Sequence, residues 1–131
     1  GDDCLIVVGA VLRAHAQRSG DVAARYGGEE FAMILPSTGV EDAEEIAWRV
    51  VRDIAGYRIP HQASAIADVV TASAGVACFQ PSPLLSPRDL LAAADEALYR
   101  AKRNGRNRVE VALLQPADRD QAAPASPSTA R

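Results

Sequence analysis

The sequence has 131 residues, a formal net charge of -3, 48% hydrophobic and 24% charged residues, and two cysteines. This length suits one domain with enough apolar side chains for a core, and the lack of a basic surplus argues against a nucleic-acid partner. Cys4 and Cys78 stand far apart in apolar surroundings, as reduced packed residues do, so a cytoplasmic compartment is expected; no apolar run approaches the length of a membrane span.

Asp2 is placed to cap a first helix. Its apolar positions Leu5, Val8, Val11, Leu12 and Ala16 recur at helical spacing, and it is expected to stop near Ser19 and Gly20. Two short apolar runs, Val22 to Arg25 and Phe31 to Leu35, flank Gly27-Gly28. Glycine tolerates the positive φ of a primed turn, so these runs read as a β-hairpin with Glu29 and Glu30 at its tip and exit. Glu41 to Ile54 places Ala43, Ile46, Ala47, Val50, Val51 and Ile54 on one helical face, with acids early and Arg49 and Arg52 late. Val69 to Phe79 reads as a buried strand.

Ser86-Pro87 is an N-cap followed by proline at the first helical position, and the helix it opens runs to about Arg103 before Asn104-Gly105. Arg108 to Leu113 is a last strand. The order of elements predicts an α/β (α+β) fold with a mostly antiparallel sheet flanked by helices. A domain over residues 1–113 is expected, followed by a disordered tail over 114–131 that is poor in large apolar side chains. His15 and His61 are isolated and read as surface or boundary residues.

Adjacent carboxylates beside two glycines suit a metal-bound phosphate, because glycine admits phosphate oxygens to the backbone and magnesium prefers carboxylate oxygens. The same acids also read as an ordinary exposed hairpin tip. In strand geometry Glu29 and Glu30 should point to opposite sides. The basic residues around Lys102 and Arg106 likewise read as a solvated helix end answering the dipole.

Arg25-Tyr26-Gly27-Gly28-Glu29-Glu30-Phe31 resembles the signature hairpin of the GGDEF family in its Gly-Gly-Glu-Glu-Phe variant. Three further segments agree with it in order and spacing. Gly1-Asp2 is similar to the end of the family's Gly-His-x-x-Gly-Asp segment, Thr71 to Ala77 to its central core strand, and Ala94 to Arg108 to its C-terminal helix and turn. The resemblance runs from Gly1 to about Val111 and implies a diguanylate cyclase with a palm-like nucleotidyl-cyclase fold. Such an enzyme condenses two GTP into cyclic di-GMP and pyrophosphate, with Mg2+ or Mn2+ as cofactor and a homodimer supplying one nucleotide from each half.

Carried onto this sequence, the resemblance makes Glu29 and Glu30 catalytic residues and metal ligands. Gly27 and Gly28 become the backbone beside the α-phosphate, and Lys102 and Arg106 the contacts to the outer phosphates. Asp2 becomes the acceptor for the guanine edge, whose N1-H and N2-H₂ are donors. Arg18-Ser19-Gly20-Asp21 ends with five residues between it and Gly27 and matches the family's inhibitory product site, which Arg49 completes. An arginine fork suits guanine and phosphate acceptors alike.

The family's domain begins with a further strand ending on an aspartate ligand for the metal, and a helix that contacts guanine and phosphate. Neither precedes Gly1 in this sequence. An isolated fragment of this extent is therefore expected to be inactive, and a non-catalytic GTP or cyclic di-GMP binding module is the alternative function. An upstream sensor or receiver domain is the expected source of the input signal, and the parent protein is open to membrane linkage.

Overall fold

Helix α1 (Asp2–His15) carries Asp2 and Asp3 in its first turn and Arg13 and His15 in its last, the distribution that the helix dipole favours. Asp2 thus lies inside the first turn rather than capping it. The computed structural model describes residues 2–61 and 68–114, so the expected tail beyond Leu114 lies outside the described residues. The helix ends at His15, short of Ser19. The chain then closes a turn in which the Asp21 N-H donates to the Arg18 carbonyl at 3.0 Å and the Arg18 N-H donates to Asp21 Oδ2 at 3.0 Å. Gly20, at φ +86°, supplies the left-handed residue this turn needs.

The chain divides into two units, Gly1–Ala72 and Ser73–Arg131. In the first, α1 is followed by β1 (Val22–Gly27), β2 (Glu30–Ile34) and α2 (Val40–Gly56). Val11 and Leu12 of α1 meet Val50 and Ile54 of α2, and Ala23, Phe31 and Met33 of the hairpin pack against them. The apolar stripes of the two helices and the inner face of the hairpin are therefore one core. His15, expected to be isolated, approaches Asp53 Oδ2 at 2.7 Å and ties the end of α1 to α2. The expected strand over Val69 to Phe79 is shorter. Val69 makes only an isolated bridge to Pro60, and regular pairing begins at Ala74.

The second unit is β3 (Ala74–Cys78), α3 (Pro87–Arg103) and β4 (Val109–Leu113). β3 and β4 pair in parallel, in register from Ala74↔Val109 to Cys78↔Leu113, because α3 returns the chain to the end where β3 began. The antiparallel pairing of the expected sheet is that of the hairpin, so among the described residues there is one antiparallel and one parallel pair. α3 begins as its sequence indicates. Ser86 Oγ accepts from the Asp89 N-H at 3.2 Å, Asp89 Oδ2 accepts from the Ser86 N-H at 2.8 Å, and Pro87 follows the cap. Ala97 and Ala101 are fully buried. Gly75 lies directly beneath the helix, where a Cβ would collide with the Ala94 carbonyl and the Leu98 N-H and stand 2.8 Å from Leu98 Cα. Both free cysteines are half-buried, and no helix among the described residues is long and apolar enough to cross a membrane.

Candidate functional site

The hairpin tip is set by one irregularity. β1 and β2 pair from Val22↔Ile34 to Arg25↔Phe31, and Gly27 then pairs with Glu30, so Tyr26 is an extra residue bulged out of the ladder. The turn is consequently Gly28-Glu29, one position later than a bend centred on the two glycines. Gly28 has φ +54°, the left-handed value that glycine supplies at the first central residue of a primed hairpin turn. Glu29 lies in the turn itself and Glu30 opens β2, so the strand alternation expected of the two acids does not apply to Glu29.

The tip is held from below. Arg25 donates from Nε at 2.9 Å and from Nη2 at 2.7 Å to the Gly28 carbonyl, so its guanidinium grips the turn in front of Glu29. Sequence reasoning gave Arg25 no role of its own, although an arginine just before Tyr-Gly-Gly was the available signal. Gly27, Gly28, Glu29 and Glu30 are all exposed. Neither carboxylate has a hydrogen-bond or ion-pair partner among the described residues. The described residues bring together no group of three or more potential metal ligands. Two uncommitted carboxylates nonetheless suit magnesium, which commonly takes one or two from protein and completes its shell with phosphate and water.

Asp2 lies at a groove of about 500 Å³ between α1 and the hairpin, whose lining includes Leu5, Ile6, Gly9, Phe31 and Arg25. This places a carboxylate acceptor beside an apolar wall in the same unit as the tip.

In the second unit, the basic residues at the end of α3 divide into two groups. Arg100 donates to the Val111 carbonyl at 2.8 Å, Arg103 lies 5.7 Å from the centre of the Tyr99 ring, and Arg108 approaches Glu110 at 3.9 Å. Lys102 and Arg106 are exposed and without an ion-pair partner among the described residues. The helix closes by a Schellman arrangement in which the Arg106 N-H donates to the Ala101 carbonyl at 2.9 Å and Gly105 has φ +122°. Arg106 itself is left-handed at φ 62°, a conformation that costs a non-glycine residue about 1 kcal/mol or more.

The third set lies on the first unit. Arg18 and Arg49 line a common open groove of about 340 Å³ with His15, Asp42 and Glu45. Arg18 Nη2 donates to Thr38 Oγ1 at 2.6 Å, and Arg18 Nε lies 3.4 Å from Asp21 Oδ2. The Asp21 side chain is only 1% exposed, and its Oδ1 is buried with no hydrogen-bond partner among the described residues. Asp21 therefore faces Arg18 and the turn rather than the groove. Arg49 Nη2 is bonded to Glu45 Oε2 at 2.7 Å, both side chains being more than half exposed.

The sequence model of the family described as "Diguanylate cyclase, GGDEF domain" matches residues 1–108. Diguanylate cyclase A of Treponema denticola is 38% identical over 83% of this chain and 28% of its own length. The solved coiled coil and GGDEF domain of DgcB from Caulobacter crescentus, in complex with c-di-GMP, superposes with a TM-score of 0.71 at 31% identity, covering 85% of this chain and 57% of that one. The active GGEEF domain of a diguanylate cyclase from Vibrio cholerae gives a TM-score of 0.71 at 29% identity, over 84% of this chain and 67% of that one. The chain spans 18% of the Bacillus subtilis protein YtrP, to which it is 38% identical.

Proposed function

From the premise that this chain belongs to the GGDEF family of diguanylate cyclases, we propose that the protein containing it condenses two GTP molecules into cyclic di-GMP and is inhibited by that product. The observation carrying this reading is the hairpin tip, a bulge and a glycine turn gripped by Arg25 that present Glu29 with no hydrogen-bond or ion-pair partner among the described residues. In the reaction the 3′-hydroxyl of one nucleotide attacks the α-phosphorus of the other and pyrophosphate leaves. The exchange then repeats with the roles reversed, so two domains, each holding one GTP, must face each other.

Glu29 accepts the proton of the attacking hydroxyl and, with Glu30, would hold the divalent ion that family cyclases require. The ion, when bound, supplies charge neutralisation on the triphosphate and acidification of the hydroxyl. Gly27 and Gly28 leave the backbone open to the α-phosphate. Asp2 accepts from the guanine edge, which selects against adenine. Lys102 and Arg106, which have no ion-pair partner among the described residues, take the outer phosphates through charged hydrogen bonds.

Arg106 offers a test in which stability and function separate. Arg106→Gly relieves a left-handed side chain, so the variant is expected to be as stable as the native protein or up to about 1 kcal/mol more so. Its KM for GTP should nonetheless rise on the order of tenfold, the loss of one charged hydrogen bond. Thermal melts and initial rates measured together check this. An unchanged KM would remove Arg106 from the phosphate site.

Arg18 and Arg49 offer guanidinium forks to guanine N7 and O6 and to phosphate, which supports the product-site reading of their groove. GTP turnover by the full native protein is expected to slow as cyclic di-GMP accumulates. Arg18→Ala should lift this inhibition at least about tenfold in product concentration while the initial rate stays near native. Inhibition equal to the native protein's would place the product site elsewhere.

A further inference from the structure

The two arginines of the product groove are held in opposite ways. Arg18 is preorganised, with its guanidinium fixed by Thr38 and by the buried carboxylate of Asp21. Arg49 is occupied: Glu45, one helical turn earlier on α2, accepts from Nη2 at 2.7 Å. Glu45 and Asp42 also line the groove, so its two acids cancel the charge of its two arginines.

A cyclic dinucleotide brings two phosphate charges and guanine acceptors. In taking the Arg49 fork it meets the Glu45 carboxylate, which already accepts from Nη2 and itself repels the phosphates. We infer that Glu45 is an internal competitor for Arg49, setting the groove's affinity for an anionic guanine dinucleotide below what its arginines alone would give. The inference rests on the reading of this groove as the product site and adds a residue that tunes it. The consequence for the protein is a higher product concentration at half-inhibition.

Glu45 is exposed, and glutamine matches it closely in size and helix propensity, so Glu45→Gln tests the charge without disturbing α2. An exposed ion pair one helical turn apart is weak, so the expected gain is modest. Calorimetric titration of cyclic di-GMP into the full native protein and into Glu45→Gln should show about two- to fivefold tighter binding by the variant at low salt. The gain should shrink at about 0.5 M salt.

Glu41→Gln removes the same charge from α2 outside the groove and should leave the affinity unchanged. In an Arg49→Ala background the Glu45→Gln gain should disappear, which a purely structural role of Glu45 would not produce. Unchanged or weaker binding by Glu45→Gln, an equal gain in Glu41→Gln, or a gain that survives Arg49→Ala would each overturn the competitor role while leaving the product site standing. Absence of binding by the native protein and every variant would instead overturn the product site, and the competitor role with it.

Discussion

Replacing Glu29 by glutamine is expected to lower the rate of cyclic di-GMP formation at least about 100-fold, the usual range for removing a positioned general base. The melting temperature should not change. Both halves of this expectation follow from the same local structure. Glu29 occupies an exposed turn, and its carboxylate has no hydrogen-bond or ion-pair partner among the described residues. Glutamine therefore removes nothing on which the fold depends. It does remove an anionic oxygen that can hold a cation and take a proton, leaving an amide that does neither well. The Arg25 grip on Gly28 stays in place, so the variant presents a correctly shaped but chemically silent tip. Product formation measured by chromatography, beside a thermal melt, separates the two effects. A variant keeping a tenth or more of the native rate would remove Glu29 from the chemistry.

The largest expected effect on stability belongs to Gly75→Ala, which should destabilise the protein by about 3 kcal/mol or more. The reason is contact and not backbone angle. A Cβ at this position would overlap the Ala94 carbonyl and the Leu98 N-H, and would lie 2.8 Å from Leu98 Cα. These are backbone atoms of a helix held by its own hydrogen bonds, so no side chain can swing aside. Relief requires α3 to lift off β3. Because Ala97 and Ala101 are fully buried, lifting would open well-packed surface. Gly28 makes a useful contrast. It has open space around it and φ +54°, so Gly28→Ala would meet no atom and would cost only about 1 kcal/mol of backbone strain. Denaturant titration of the two variants checks the order. Gly75→Ala as mild as Gly28→Ala would mean that the strand and helix are not packed this closely.

Features encoded by neighbouring residues were legible in the sequence. The start of α3 was readable from Ser86-Pro87 and its end from Asn104-Gly105, since caps are made by residues within a few positions of each other. The amphipathic faces of α1 and α2 gave the core of the first unit for the same reason. The hairpin was readable but its turn was misplaced by one residue, because glycine content locates a bend without revealing that Tyr26 leaves the ladder. The stop of α1 at His15 depends on a turn closed by the Asp21 side chain, which helical spacing does not report.

The remaining features were tertiary. Parallel pairing of β3 with β4, the packing of α3 on Gly75 and the His15–Asp53 contact join residues far apart in the chain. The site divides in the same way. The signature acids, Lys102 and Arg106 could be named from motif resemblance, whereas the Arg25 grip, the burial of Asp21 and the engagement of Arg49 by Glu45 are facts of geometry. The sequence placed Asp21 beside a ligand. In the fold its buried carboxylate lies against Arg18.

The most direct measurement for the account as a whole is the stoichiometry and concentration dependence of GTP turnover by the full native protein with magnesium. Two pyrophosphates should appear for each cyclic di-GMP formed, and the rate per chain should rise with protein concentration until pairing saturates. Release of inorganic phosphate without any cyclic dinucleotide, or a two-to-one yield at a rate per chain that never changes on dilution from a demonstrably monomeric solution, would contradict condensation between two facing domains.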